Sequence, residues 1–441
     1  MVSLLSTLNN RQEARICQAN FSDKSVDKGD MRRSAPENKP ELPQATVQIE
    51  GHIVDSDLLR DVFDLIIGSG GSFEIKDFII GRTNEETSIA RLSISTSTPE
   101  RLELILNLLS QRGCYVVTEK AVMVRRTLKD KTVPDDFYST TNYRTEIRLD
   151  GKWVAVANQR MDGVIVVNGS RTVVRKLREV RKGDQIVCGL DGIRVHPEFK
   201  GREREEFSFM SNEVSSEKKV SIAVEKVAEQ IRGRKGKLVV VAGPVVIHTG
   251  AVDSLCRMIR EGFVDGLLTG NALAVHDIEN ALYGTSLGID TSAGTPVDQG
   301  HRNHMRAINS INKAGSIKSA VKKGVITSGI MYECVKANIP FVLAGSLRDD
   351  GPLPDTITDM NEAQEAYGQM IRDAEIVLML STMLHSIATG NMLPAWVKTI
   401  CVDINASVVT KLADRGSAQA VGIVTDVGLF LHLLANRLCR S

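Results

Sequence analysis

The C-terminal half of the chain has a rhythm that constrains its fold more than any other feature. From about residue 220, short apolar runs at Lys237–Val241, Gly266–Leu268, Phe341–Ala344, Ile376–Leu380 and Ile400–Val402 read as strands. Between them, Ala251–Arg260, Ile278–Leu282 and Ser316–Lys322 read as helices. Runs that are apolar on both faces suit interior strands of a parallel sheet covered by helices on either side. The expected fold class is therefore α/β, with a C-terminal doubly wound, Rossmann-like parallel sheet. Sheets of this type bind ligands beyond the carboxyl ends of their strands.

Those ends have a common chemistry. They read Gly243-Pro244 followed by His248-Thr249-Gly250, then Thr269-Gly270-Asn271-Ala272, Gly345-Ser346, Ser381-Thr382 and Asp403. Glycine lets a phosphate approach the backbone, hydroxyl and amide groups add hydrogen bonds, and an Asp after a strand suits a ribose. Turn formation alone explains any one such segment. Five in succession favour a nucleotide or dinucleotide, with these residues as its contacts. No GxGxxG follows the first strand, so a pyrophosphate would be held without that loop. The HxxH spacing of His301 and His304 lacks a third ligand at convincing spacing, so no metal site is expected.

Upstream, three further stretches are distinguished. Residues 1–43 are polar, without apolar periodicity, and read as a flexible arm. Residues 44–119 carry strand, helix, strand, strand, helix, strand in order, the signature of a ferredoxin-like α+β domain. Residues 120–212 are β-rich: Glu146–Leu149 and Trp153–Val156 flank the hairpin signal Asp150-Gly151, and Val164–Val167, Val173–Val180 and Gln185–Val195 follow. The charge-dense Glu198–Lys219 leads into the α/β domain, taken as residues 213–441.

Composition removes several function classes. A net charge of +1 and 4% aromatic residues give no footprint for nucleic acid. No apolar run approaches membrane-spanning length, and a cytoplasmic protein is expected. The seven cysteines are scattered and odd in number, which fits reduced, packed thiols.

Six stretches resemble one family: VQIEGHIVD (Val47–Asp55), FYSTTN (Phe137–Asn142), GPVVIHTG (Gly243–Gly250), LTGNALAVHD (Leu268–Asp277), GHRNHMRAIN (Gly300–Asn309) and ITSG (Ile326–Gly329). It is the lysine-oxoglutarate reductase/saccharopine dehydrogenase conserved-domain family, which holds the archaeal-type ornithine cyclodeaminases and the C-terminal part of cyanobacterial arginine dihydrolase–ornithine cyclodeaminase fusions. The resemblance runs from about Ala45 to Leu434. It implies NAD-dependent conversion of L-ornithine to L-proline and ammonia, on a C-terminal fold similar to that of deoxyhypusine synthase. The arginine-hydrolysing module of the fusions is not expected, because only about 43 residues precede the first domain. The chain departs from the family pattern at Tyr143-Arg144, where His-Pro usually follows FYSTTN, and matches the family's MDxAIVV only in part at Met161–Val167.

The implied reaction takes a hydride from Cα, lets the δ-amine attack the resulting imine, expels ammonia and returns the hydride. Proton transfer is expected from Asp277 with His276 beside it, then from Asp349 or Asp350. Arg302 and Arg144 are candidates for the α-carboxylate, since a guanidinium grips it with two hydrogen bonds, and Asn142 and His304 complete the expected substrate contacts. An NAD(P)-dependent amino-acid dehydrogenase or imine reductase, and a non-catalytic NAD or amino-acid sensor, are the alternatives. A homo-oligomer is expected, because ferredoxin-like domains expose sheet edges.

Overall fold

Seven parallel strands form the large sheet of the computed structural model, in the order Thr356–Ile357, Phe341–Ala344, Gly266–Gly270, Lys237–Ala242, Ala374–Leu380, Lys398–Asp403, Ala420–Val424. Lys237–Ala242 starts the sheet. The chain then steps outward on one side as far as Thr356–Ile357 and returns to the other side of the starting strand as Ala374–Leu380. The order reverses between those two strands. Such a reversal parts the connecting loops and leaves a crevice at the strands' carboxyl ends.

The apolar runs do what their composition demands. Leu238 and Val240 enter one core with Ile376 and Leu378, while Val239 and Val241 enter the opposite core with Val377 and Met379. Successive strand residues point to opposite faces, so only a run apolar throughout fills both. Two elements have no strong sequence signal: the edge strands Thr356–Ile357 and Ala420–Val424 are short or border solvent. The helix read at Ile278–Leu282 is longer, starting at Asn271 directly after its strand and ending at Tyr283 against the left-handed Gly284.

The description covers residues 42–51, 53, 58–82, 86–196, 216–287, 289–290, 300–349, 351–414 and 420–439. The polar arm up to Glu41 and most of Glu198–Lys219 lie outside it.

Residues 44–116 form an antiparallel sheet in the order Ser72–Ile79, Ser88–Ser95, Gln44–Gly51, Tyr115–Val116, the ferredoxin-like arrangement. Helices Leu58–Gly68 and Pro99–Ser110 supply Val62, Ile66, Ile105 and Leu109 to its core. Pro99 opens the second helix and Thr98 caps it by accepting the Arg101 N–H.

The β-rich stretch folds as two antiparallel sheets. In the hairpin Arg144–Leu149/Lys152–Ala155, Asp150 and Gly151 have φ of 48° and 76°, the pair of positive angles that a two-residue turn of this twist needs. Gln185–Val195 is not one strand. It breaks at Gly189–Gly192 into Gln185–Cys188 in one sheet and Ile193–His196 in the other. Val173–Val180 likewise ends as a strand at Arg175 and continues as a short turn of helix, Leu177–Glu179.

Contacts among the described residues tie this stretch to the α/β domain. Asn142 O accepts the Ala395 N–H at 2.9 Å, Arg178 Nη1 donates to Gln364 Oε1 at 2.8 Å, and the Arg144 guanidinium lies 4.9 Å from the centre of the Trp396 ring. The six described cysteines are buried and unlinked, and burial pushes their thiols upward, Cys114 and Cys401 each to about 12. Among the described residues, no helix is long and apolar enough to cross a membrane.

Candidate functional site

The crevice is built on backbone contact. Gly243 and Ser381 follow the two strands that flank the reversal, and a Cβ on Gly243 would stand 2.4 Å from the Ser381 carbonyl oxygen. Only glycine permits that approach. Ser381 has φ of 43°, and its N–H donates to Val402 O at 3.0 Å, which ties the loop to the next strand. A non-glycine residue in the left-handed region stores strain, and such strain clusters at ligand sites. Gly243, Pro244, Ser381 and Thr382 therefore border the crevice mouth.

One strand over, Gly270 faces a residue to which the sequence assigns no role. A Cβ on Gly270 would stand 2.9 Å from His385 Nε2. His385 Nδ1 lies 3.0 Å from Tyr367 Oη, and that hydroxyl donates to Thr269 O at 2.7 Å. With its proton committed to the carbonyl, the hydroxyl accepts from the imidazole, so His385 carries its proton on Nδ1. Nε2 is left as a bare acceptor above Gly270. Burial holds the His385 pKa below the usual histidine range, with Asp349 pulling weakly the other way. His385 is a neutral imidazole with its lone pair at the rim.

Other expected contacts make hydrogen bonds within the protein. Thr269 Oγ1 donates to Ala242 O at 2.6 Å and the residue is fully buried, so its hydroxyl locks two strands together. Asn271 Oδ1 accepts the Leu353 N–H and the Thr356 hydroxyl, each at 3.0 Å, fastening the loop after Phe341–Ala344. Thr249 Oγ1 donates to Val245 O, Ser346 Oγ accepts the Arg348 N–H, and Asp349 accepts the Ser346 N–H at 2.7 Å, all within their own loops. Asp403 accepts the Asn405 N–H at 2.8 Å through Oδ1 at the end of its strand. Asp350 lies outside the described residues.

Asp277 departs furthest from expectation. It lies within a helix rather than before one, is fully buried, and accepts the N–H groups of Ile330 and Met331, both at 2.8 Å. These are orphan donors at the start of the Ile330–Lys336 helix, so Asp277 caps another element. Gly329, with φ of 99°, stands so close that a Cβ would lie 2.9 Å from both carboxylate oxygens. The ITSG glycine thus makes room for the cap. Burial outweighs the two N–H groups and raises the Asp277 pKa to about 6.

The histidines converge. His248 and His276 have ring centres 5.2 Å apart, and His276 and His304 5.3 Å. Of the HxxH pair, His304 meets His276 and Glu279 instead; Glu279 lies one helical turn beyond His276 and is fully buried. A carboxylate three residues from a histidine on one helix is a readable signal once the helix is known to begin at Asn271. Arg302 is exposed on the helix that carries His304, and Arg144 lies on Trp396.

Comparison with known proteins fits this architecture. A family described as arginine dihydrolase ArgZ-like, C-terminal, Rossmann fold matches residues 221–434; the LOR/SDH bifunctional enzyme conserved region matches 44–143, and the ArgZ-like C-terminal first region matches 144–224. The ornithine cyclodeaminase of Methanocaldococcus jannaschii is 49% identical over 403 residues, covering 89% of this chain and 95% of its own length. The chain belongs to the archaeal-type ornithine cyclodeaminase family. A second member of the ornithine cyclodeaminases, from Methanothermobacter thermautotrophicus, is 50% identical over 398 residues, covering 89% of this chain and 97% of its own length. The bifunctional arginine dihydrolase/ornithine cyclodeaminase AgrE of Nostoc is 50% identical over 404 residues, 89% of this chain, but the chain spans only 58% of it. Among solved structures, the apo arginine dihydrolase ArgZ of cyanobacteria superposes with a TM-score of 0.78 at 42% identity, over 92% of this chain and 60% of that one.

In this ornithine cyclodeaminase relative, Asp277→Asn removes one of two acceptors and leaves an amide N–H orphaned, a loss of about 1–3 kcal/mol. Asp277 has a higher pKa folded than unfolded, so its contribution is complete below about 3.8 and disappears as pH rises through about 6. The stability gap between the native chain and the variant should therefore be wider at pH 4 than at pH 7 in urea unfolding. Turnover per folded molecule should change little; a large loss would return Asp277 to proton transfer.

Proposed function

We propose that the protein is an NAD-dependent ornithine cyclodeaminase, converting L-ornithine to L-proline and ammonia. One observation carries the reading: His385, a neutral base with a bare Nε2, stands at the crevice where the strand order reverses. Full-length relatives that carry the ornithine cyclodeaminase name at 49–50% identity support it.

The crevice fits a dinucleotide. Glycine at 243 and 270 lets these strand ends pack at backbone distance from Ser381 and His385, so peptide groups rather than side chains line the rim. We assign Gly243, Pro244, Ser381 and Thr382 to the pyrophosphate side and Asp403 to a ribose. NAD held there would supply a reversible hydride acceptor for ornithine Cα, so that the cycle would close without release of NADH.

The chain's own residues handle protons and position. Ornithine arrives with an α-ammonium group, and the nitrogen lone pair must be free before Cα can lose hydride. His385 Nε2 takes that proton. Tyr367 holds the ring in place and fixes its tautomer from the far side. Arg302 is assigned the α-carboxylate, and Arg144, stacked over Trp396, is given to the contact between the β-rich stretch and the α/β domain. Asp277 is not assigned proton transfer, because backbone N–H groups occupy both its oxygens, and Asp349 is given to the Ser346 N–H and hydroxyl of its own loop.

Incubation with NAD⁺ and L-ornithine should yield proline and ammonia with no accumulation of NADH, and deuterium at Cα should stay in proline. Net NADH would indicate a dehydrogenase, and binding without turnover a sensor. His385→Gln should lower kcat about 10²–10⁴-fold with NAD⁺ affinity kept. In the native enzyme kcat should fall on acidification only below the usual histidine pKa of 6.5, where His385 gains its proton.

The same reading extends to assembly and location. Ser72–Ile79 is an edge strand with Ile75, Phe78 and Ile79 exposed, and we assign that edge to pairing with a second copy. Phe78→Lys should shift the chain to a smaller species in light scattering; an unchanged mass would remove the edge from the interface. A cytoplasmic location agrees with the buried, unlinked thiols.

A further inference from the structure

Beside the crevice lies a cluster that binding a dinucleotide does not explain. His276 and Glu279 project from one face of the Asn271–Tyr283 helix, and His304 meets them from the helix His301–Ala314. Glu279 is fully buried; its Oε1 accepts the Thr285 hydroxyl at 2.8 Å and its Oε2 the Leu287 N–H at 3.0 Å. Its two oxygens are thereby held in a fixed orientation toward the histidines. The imidazole Nδ1 atoms of His276 and His304 stand 3.6 Å and 3.8 Å from Oε2. Both distances exceed a hydrogen bond. His276 Nδ1 is buried and makes no hydrogen bond at all.

We propose that His276, Glu279 and His304 bind a divalent metal ion of the zinc class. One donor atom from each lies within 4.8 Å of the other two, around a common gap. Tetrahedral zinc, with bonds of about 2.0–2.1 Å, puts neighbouring donors roughly 3.3 Å apart. The separations of Oε2 from the two imidazoles are a few tenths of an ångström wider and all three donors lie within 4.8 Å, so side-chain rotations of the three residues close the site. Two imidazoles and one carboxylate are the nitrogen and oxygen donors that zinc, cobalt(II) and nickel(II) accept. Donors three residues apart on a helix face the same side, a spacing that metal sites between helices use. A supporting layer is already in place. The Thr285 hydroxyl and Leu287 amide orient the carboxylate, and Asn303 Nδ2 donates to Thr285 Oγ1 at 3.1 Å. The ion pins the two helices together next to His248. The site stands on these residues alone, whatever the cofactor or substrate.

The test uses the full-length chain. Elemental analysis of the protein as purified should find zinc at one equivalent per chain, removable with a chelator. The stripped protein titrated with Co²⁺ should develop the intense visible absorption of a four- or five-coordinate ion and saturate at one equivalent. Glu279→Gln and His304→Gln should each weaken Co²⁺ binding at least about tenfold, while His196→Gln, far from the cluster, leaves it unchanged. His304 is partly exposed, so its variant keeps the test alive should Glu279→Gln fail to fold. Native protein that holds no metal and gives only the weak spectrum of hydrated cobalt would overturn the proposal. So would His304→Gln binding Co²⁺ as tightly as the native chain.

Discussion

Two strand ends packed at backbone contact govern this molecule. Gly243 and Ser381, at the ends of two neighbouring strands, leave no space for a side chain between them, and the sheet order reverses where they stand. The reversal parts the connecting loops and opens the crevice. The absence of a side chain at residue 243, and the left-handed backbone of Ser381, give the crevice a floor made of peptide groups. Backbone N–H and C=O groups are fixed by the sheet and need no ordering when a ligand arrives. A phosphate-rich cofactor is thus accommodated without the usual glycine-rich loop.

Polar residues around the floor divide into two kinds. Thr269, Asn271, Asp277 and Asp349 spend their hydrogen bonds inside the protein, locking strands, loops and a helix start. His385 spends one nitrogen on Tyr367 and keeps the other bare. Rigid surroundings make that division useful, because a catalytic group works best when its neighbours hold its ring and tautomer. Burial then supplies the protonation state, keeping the imidazole neutral where an exposed one would begin to charge.

Much of this was legible in the residues. Apolar runs such as Leu238–Val241 have one structural solution, and Asp150-Gly151 has one turn, so sheet and hairpin follow from local chemistry. The strand-end positions were legible too. What each polar side chain does there was not. Asp277 looks like an acid beside a strand end until the Ile330–Lys336 helix, more than 50 residues later, arrives to claim both oxygens. His385 carries no motif, and its value depends on Tyr367 and Gly270, which only the folded sheet brings to it. Glu279 was hidden because the helix starts seven residues earlier than its apolar spacing suggests. Hydrogen-bond partners distant in sequence decide roles that residue type alone leaves open.

The central claim is that a dinucleotide lies on the backbone floor between the first and returning strands. Amide hydrogen exchange with and without NAD⁺ tests it most directly, since it reads the floor itself. The account predicts that amides in the Gly243–His248 and Ser381–His385 segments become protected on adding NAD⁺, while the ferredoxin-like sheet stays unchanged. Unaltered exchange in both segments at saturating NAD⁺ would contradict it.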